Sequence, residues 1–287
     1  TDPGQVVPEH CAHINCGINK FFHFPKFLYY FLGTTIGQQY LLQASHGSVQ
    51  VNIAPRAVVE RIEVPALSVA EQQSIVRILS ALDDKIALNR RQSATLEALA
   101  RAVFQSWFVD FDPVRARAAG RAPVAMDAAT AALFPDGFEE RDGREVPRGW
   151  SMRSLFDCAK YINGAAYRNI DFSSERYGLP VIKIAEIKNG IAEQTKFTSK
   201  DLEPKYRIDD GEILFSWSGS PDTSIDTFIW SGGLGWLNQH IFKVLPLYPE
   251  ERSFIYLLLR HYKATFVEIA RDKQTRESAI LKHPKMW

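Results

Sequence analysis

The sequence predicts an α+β fold in which mixed strands and helices are joined to one long, coiled-coil-forming helix. Three observations support this prediction: a sustained heptad pattern in the first half of the chain, strand-like segments after residue 147, and an aromatic or apolar helical segment towards each end. The chain has 287 residues, which is enough for one large or two modest domains. It is 46% hydrophobic and 23% charged, a composition typical of globular rather than disordered proteins.

Residues 1–66 combine short β-like pieces, at 13–14 and 49–53, with one helix expected over residues 26–43. An aromatic cluster lies in and just before this helix. A base-stacking platform is one interpretation of it, but the helical spacing favours a core role. The cluster consists of Phe21, Phe22, Phe24, Phe27, Tyr29, Tyr30 and Phe31.

Residues 67–108 predict one long helix with a seam that faces a partner helix. Ser68 and Glu71 have the spacing of a capping box, and neither Gly nor Pro occurs in residues 69–108. At 1.5 Å per residue such a helix would be roughly 60 Å long. Apolar residues recur in alternating steps of four and three. The seam consists of Ile75, Leu79, Leu82, Ile86, Asn89, Ser93, Leu96, Ala100, Val103 and Trp107.

Two interpretations of this helix are open. It could be an ordinary long helix buried within one domain, or a rod that docks a helix of the same or another molecule. Asn89 and Ser93 are polar at consecutive seam positions. Because polar seam residues cost stability and fix register, they favour the docking rod.

Residues 109–146, rich in Ala, Arg and Pro, predict an irregular connector. A second globular region, 147–287, then begins at Pro147. Strands are expected at 179–184, 212–217, 225–230 and 240–245, followed by a helix over 253–271. An offset of 227 residues places residues 27–32 on residues 254–259, which suggests an internal repeat, although few positions are identical.

Charge and cysteine content narrow the possible classes of function but do not identify one. The net charge of +1 argues against a surface covered in basic patches, but a few well-placed cations suffice for DNA binding. No apolar run approaches 18 residues, so we expect no membrane span. The chain begins at Thr1 without a visible leader, and its three cysteines are compatible with a reducing cytoplasm.

Several segments closely resemble the specificity subunit of type I restriction-modification enzymes. They are 65–73 (PALSVAEQQ), 82–91 (LDDKIALNRR), 106–115 (SWFVDFDPVR), 147–150 (PRGW) and 237–240 (LNQH). The resemblance spans nearly the whole chain. It implies two target-recognition domains, each reading one half of a split DNA site, held apart by two antiparallel helices that dock modification subunits.

This resemblance also predicts how the chain departs from the family. Residues 1–66 would be the remnant of a first target-recognition domain, residues 67–108 the spacer helix, and residues 147–287 a second domain that lacks the distal helix. The expected partners are double-stranded DNA, the modification (methyltransferase) subunits, the restriction subunit and a second copy of the chain. An alternative is a truncated fragment that docks modification subunits without binding DNA.

We expect catalysis to lie outside this chain. It has no Gly-rich methyltransferase loop and no phosphate loop of an ATPase, so S-adenosylmethionine, ATP and Mg²⁺ are expected on partner subunits. A nuclease reading of Asp171 with Glu186-Ile187-Lys188 is less favoured than a polar-faced strand that enters a turn. A zinc site is similarly disfavoured, because its four possible donors all lie in one segment: His10, Cys11, His13 and Cys16.

The DNA-contact candidates are cationic and polar residues on loops of the second region. Cations suit phosphates, which position the protein, whereas Asn, Gln and Ser can reach base edges. Each residue could instead be simply solvated or structural. The cations are Lys183, Lys188, Lys196, Lys200, Lys205 and Arg207, and the polar residues are Ser216, Ser218, Ser220, Asn238, Gln239 and His240.

Overall fold

The computed structural model describes residues 25–43, 45–46, 52–53, 62–271 and 285–286, with backbone only at 45–46, 52–53 and 285–286. The chain divides into two compact units, Thr1–Leu96 and Glu97–Trp287. Strands and helices occur in both units, so the α+β prediction is confirmed. The finer division into four segments stays a prediction. No helix in the described ranges is both long and apolar enough to cross a bilayer.

The first unit contains α1 (Pro25–Leu32), α2 (Thr35–Gln43), the paired strands β1 (Ser45–His46) and β2 (Asn52–Ile53), and the start of the long helix. The single helix predicted over 26–43 is wrong, because the chain breaks at Gly33-Thr34. Thr34 begins the second helix by accepting a hydrogen bond from the Gly37 backbone N–H at 3.2 Å. Of the described aromatic residues in the cluster, Phe27 is buried and Tyr29, Tyr30 and Phe31 are partly buried, which supports a core role for Phe27. Phe21, Phe22 and Phe24 lie outside the described ranges.

The predicted long helix is present as α3 (Val69–Phe108), 40 residues in length. Its start is the predicted capping box: the backbone N–H of Ser68 donates to Glu71 Oε2 at 2.9 Å, and that of Glu71 donates to Ser68 Oγ at 3.4 Å. The Ser68 hydrogen bonds hold the pKa of Glu71 below its ordinary value. The sequence thus located both the helix and the residues that cap it.

The segment after α3 is more ordered than predicted. It forms α4 (Asp112–Ala118), α5 (Ala128–Ala132) and a hairpin of β3 (Phe138–Arg141) and β4 (Arg144–Pro147). Phe111, Val114 and Phe134 are buried in a small core together with Trp107 and Trp150. The prediction of an irregular connector is wrong because these spaced aromatic and apolar residues bury one another.

Two four-stranded sheets organise the rest of the second unit. One has the order β11 (Asp226–Ile229), β10 (Ile213–Ser216), β13 (Ile241–Pro246), β6 (Ala159–Asn163) and is antiparallel throughout. The other has the order β8 (Phe197–Thr198), β7 (Leu179–Ile182), β12 (Gly235–Leu237), β9 (Arg207–Ile208), with a parallel pair at its centre. Each of the four strands predicted in this region is present within two residues of its predicted ends.

Shorter elements complete this unit: β5 (Arg153–Ser154), which pairs with β14 (Lys285–Met286), and the helices α6 (Ile184–Asn189) and α7 (Pro221–Ser224). The helix predicted over 253–271 is two helices, α8 (Arg252–His261) and α9 (Lys263–Arg271). The pair α1–α2 in the first unit has the same arrangement 227 residues earlier, as the internal repeat predicts.

The last turns of α3 are fixed within the second unit. Phe104 is only 4% exposed and its ring lies 5.4 Å from that of Phe254 on α8. Arg260 joins three elements, because its guanidinium lies 2.6 Å from Glu97 Oε1 on α3 and 2.9 Å from Asp226 Oδ1 on β11. The C-terminal end of α3 is therefore part of the core of this unit.

Candidate nucleic-acid interface

The parallel strands β7 and β12 bring predicted site residues to one edge. Lys183 follows β7 and Asn238 follows β12, and the backbone N–H of Asn238 donates to the Ile182 carbonyl at 3.1 Å. Because the two strands are parallel, the residues after their carboxyl ends lie side by side. The strand order therefore places a cation next to an amide side chain.

The antiparallel sheet contributes further loops to the same edge. The backbone N–H of Trp217, directly after β10, donates to the His240 carbonyl at 3.4 Å, and that of Ala165 donates to the Leu237 carbonyl at 2.8 Å. Gly164 is required at this crossing, since a Cβ there would lie 2.2 Å from the Asn238 carbonyl oxygen. We call residues 163–165, Lys183, 217–220 and 238–240 the recognition edge.

Three predicted cations lie at or towards this edge. The Lys183 side chain is exposed, with Nζ 5.2 Å from the centroid of the Phe172 ring. Lys188 Nζ donates to the Thr223 carbonyl and so ties α6 to α7. Lys205 precedes β9. Because β9 runs antiparallel to β12, the N-terminal end of β9 lies towards the edge. The Nζ atom of Lys205 lies 2.8 Å from Glu203 Oε2.

The other predicted cations are exposed but lie elsewhere. Lys196 and Lys200 flank β8, which pairs with the first residues of β7, so Lys200 points to the opposite end of the sheet. Its Nζ lies 3.2 Å from Asp171 Oδ1. Arg207 lies within β9, opposite Trp236. The structure does not bring these three residues to the recognition edge.

The polar candidates divide in the same way. Asn238 and Gln239 are half-buried and His240 is exposed at the edge, with 3.2 Å between Gln239 Nε2 and His240 Nε2. Ser218 and Ser220 lie on the loop that leads into α7. Ser216 contradicts the prediction, because it is fully buried in a central strand and its hydroxyl donates to the Ser224 carbonyl.

Sequence reasoning missed a side-chain pair at this edge. Trp217 Nε1 donates to Asn163 Oδ1 at 3.2 Å, and the Trp217 ring lies 5.5 Å from that of His240. Asn163 and Trp217 are 54 residues apart in the chain. No local pattern could join them, because only the shared neighbour strand β13 brings the ends of β6 and β10 together.

The groups considered for a nuclease have structural roles. Asp171 accepts from the Arg168 backbone N–H at 2.8 Å, which is the main cause of its lowered pKa, with Lys200 adding to the effect. Glu186 is buried and accepts from the Lys183 backbone N–H and from Thr195 Oγ1, at 3.0 and 3.1 Å. The Glu186-Ile187-Lys188 triplet lies on a helix, so the predicted strand there is wrong.

Within the described ranges, no group of three or more His, Cys, Asp or Glu residues is placed to hold a metal ion. The possible zinc donors His10, Cys11, His13 and Cys16 lie outside these ranges. Cys158, the remaining cysteine, is buried, and burial raises the pKa of its thiol.

A second candidate surface is the seam of α3. Residues 81–96 are all exposed, including Asn89 and Ser93. Leu82 is 57% exposed and Leu96 65%. Ile75, Leu79, Val103 and Trp107, nearer the helix ends, are partly buried. The exposure of the middle of α3 contradicts the interpretation of a long helix buried within one domain.

Comparison with known proteins identifies a family. The model of the type I restriction modification DNA specificity domain matches residues 11–98 and 147–279. Two separate matches support the internal repeat, since α1–α2 lie in the first matched segment and α8–α9 in the second.

Two curated relatives are specificity subunits of type I restriction enzymes. The chain is 29% identical over 239 residues to the type I restriction enzyme HindI specificity subunit of Haemophilus influenzae, covering 68% of this chain and 51% of the relative. It is 25% identical over 239 residues to the MjaIX specificity subunit of Methanocaldococcus jannaschii, covering 82% and 51%. The chain thus spans about half the length of these curated relatives.

Among solved structures, the chain is similar to the type I restriction-modification system S subunit from M. genitalium. The TM-score is 0.43 with 14% sequence identity, covering 91% of this chain and 60% of that one.

Proposed function

The chain belongs to the family of type I restriction modification DNA specificity domains, and we propose that it recognises DNA for a multisubunit methyltransferase and restriction enzyme. In this proposal it is a noncatalytic specificity subunit or half-subunit. Adenine methylation, with S-adenosylmethionine, and ATP- and Mg²⁺-dependent restriction take place on partner subunits. The complex works in the cytoplasm, where the DNA is.

The recognition edge is the observation that carries this proposal. Exposed Lys183 suits a phosphate, and the half-buried amides of Asn238 and Gln239 have the donors and acceptors that read base edges. Strand pairing fixes the backbone beneath them, so their side chains start from a defined position. Such an edge can combine a sequence-independent cation with sequence-dependent amides.

The exposed seam of α3 supplies the second part of the proposal, the docking of modification subunits or of a second copy. A self-dimer makes the same contacts twice, so its preferred site would be palindromic. The seam also favours the alternative function, a fragment that docks modification subunits and does not bind DNA. Both functions use α3, and they differ in the role of the recognition edge.

A binding selection separates the two functions. The purified chain, mixed with the modification subunit, is incubated with a pool of randomised duplexes, and bound DNA is isolated by gel shift and sequenced. We expect an enriched motif. A variant with Asn238→Ala and Gln239→Ala should lose enrichment at particular positions and still bind the modification subunit. If the unaltered, assembled chain enriches no motif, it is a docking fragment and the proposed function is wrong.

A further inference from the structure

Lys183 differs from the other cations near the recognition edge in what its ammonium group faces. The Nζ atom of Lys205 lies 2.8 Å from a carboxylate oxygen of Glu203, and that of Lys188 donates to a backbone carbonyl. The Lys183 ammonium instead faces an aromatic ring, because its Nζ lies 5.2 Å from the centroid of Phe172. The Lys183 side chain is also exposed.

An aromatic neighbour prepares a lysine for an anion better than a carboxylate does. A carboxylate offsets the charge of the ammonium group and repels an approaching phosphate. The face of an aromatic ring attracts a cation within about 6 Å of its centroid but has no net charge. A lysine held against a ring therefore loses conformational freedom before the anion arrives and keeps its full positive charge.

The sheet holds the Phe172 ring beside Lys183. Lys183 follows β7, and β8 pairs with β7. The backbone N–H of Ser173, the residue after Phe172, donates to the Phe197 carbonyl on β8 at 2.9 Å. The Phe172 ring also stacks on that of Tyr167, with centroids 6.0 Å apart and planes inclined by 21°. Both rings are half-buried, so the surface against which Lys183 lies is fixed by strand pairing and by ring stacking.

We infer that Phe172 is a positioning residue for DNA binding: its ring holds the Lys183 ammonium at the recognition edge, where the ammonium binds a phosphate of the duplex. This inference rests on the proposed function and adds to it a residue that acts through Lys183 and not on the DNA itself. A cation–π contact at an exposed site corresponds to about a 2- to 5-fold change in affinity. The loss of the ring should therefore be measurable.

The first experiment detects the ring contact without DNA. The full chain is labelled with ¹³C-lysine, and the NMR signal of the Lys183 Cε methylene is identified by its absence in Lys183→Met. The ring current of Phe172 should displace this signal from the position of an ordinary exposed lysine. Phe172→Leu should return it to that position, and Phe172→Tyr, which keeps a ring, should leave it displaced. An ordinary position in the unaltered chain would overturn the inference.

The second experiment is a double-mutant cycle on the duplex recovered by the selection described above, with the modification subunit present. Phe172→Leu should weaken binding about 2- to 5-fold and leave the slope of log K against log salt unchanged, because the Lys183 charge remains. Lys183→Met should weaken binding and make this slope less steep by about 0.9. In the Lys183→Met background, Phe172→Leu should have no further effect. Equal weakening by Phe172→Leu in both backgrounds would show that Phe172 does not act through Lys183.

Phe156→Leu is the matched control for the loss of a stacked ring. Phe156 also stacks on a tyrosine, Tyr161, with centroids 6.5 Å apart, but it precedes β6, and the recognition edge lies at the far end of that strand. This variant should bind DNA as the unaltered chain does. Circular dichroism and thermal melting first establish that every variant is folded.

Two outcomes separate this inference from the proposed function. If Lys183→Met leaves the salt slope unchanged and removes a preference for one guanine, Lys183 reads a base, and the phosphate contact is wrong while the proposed function stands. If the assembled chain prefers no duplex at all, the proposed function fails and this inference fails with it, even where the NMR signal shows the ring contact.

Discussion

The exposed seam of α3 predicts a specific loss of partner docking. Leu82 and Leu96 are 57% and 65% exposed, so most of each side chain is available for burial against a partner. Complete burial of a leucine contributes about 1.5 to 3 kcal/mol. Scaled by the exposed fractions, replacing both residues with Ala should weaken docking by about 2 to 4 kcal/mol, roughly 30- to 900-fold. Alanine is chosen because it preserves the helix.

The assay is sedimentation or light scattering of the chain with its modification subunit over a concentration series. Leu88→Ala is the matched control. Leu88 is 45% exposed but lies two residues after the seam position Ile86, about 200° around the helix axis. The control should dock normally, and all three proteins should have the same helical content. Unchanged docking of the double variant would refute the seam, and equal weakening by Leu88→Ala would show that the effect is not confined to it.

Three further predictions follow from the second unit. Phe104→Ala should lower the free energy of unfolding by about 3 to 5 kcal/mol, because the ring is buried against Phe108 and Phe254. Chemical denaturation measures this change, and a loss of less than about 1 kcal/mol would contradict the packing described. Lys183→Ala should weaken binding to all duplexes, and the slope of log K against log salt should become less steep by about the amount that one phosphate contact contributes. Asn238→Ala should leave this slope unchanged and lose about 1 to 3 kcal/mol of discrimination at one base pair. Because burial raises the pKa of Cys158, its thiolate is scarce at neutral pH. Alkylation followed by peptide mass spectrometry should find Cys158 unmodified until the chain is denatured, and rapid labelling of the folded chain would contradict its burial.

The sequence predicted best those elements whose signals are local. The heptad, the Ser68–Glu71 cap and the absence of Gly and Pro defined α3 at both ends, and apolar runs between turn residues located the strands of the second unit. Breaks within helices were harder. The interruption at Gly33-Thr34 is accompanied by a close contact at Gly37, where a Cβ would lie 2.3 Å from the Phe31 carbonyl oxygen. Such a contact is not visible from residue types alone.

The candidate site could be predicted only in part, because strand order decides which loops meet. The residues after β7 and β12 were chosen as candidates by residue type, and parallel pairing brings Lys183 and Asn238 together. Lys200 was a reasonable phosphate ligand by type, but the antiparallel pairing of β8 directs it away. Ser216 has the composition of a loop residue and is instead buried in a central strand. Asn163 and Trp217 required the tertiary structure to be recognised as a pair.

Hydrogen–deuterium exchange of the assembled chain tests the central claim most directly, because it maps both surfaces in one experiment. The chain is compared alone, with the modification subunit, and with the subunit plus the selected duplex. We expect the modification subunit to slow exchange within residues 78–99 of α3, and the duplex to slow exchange further at residues 217–220 and 238–240. If the duplex leaves exchange at these loops unchanged while protecting other parts of the chain, the recognition edge is not where DNA binds.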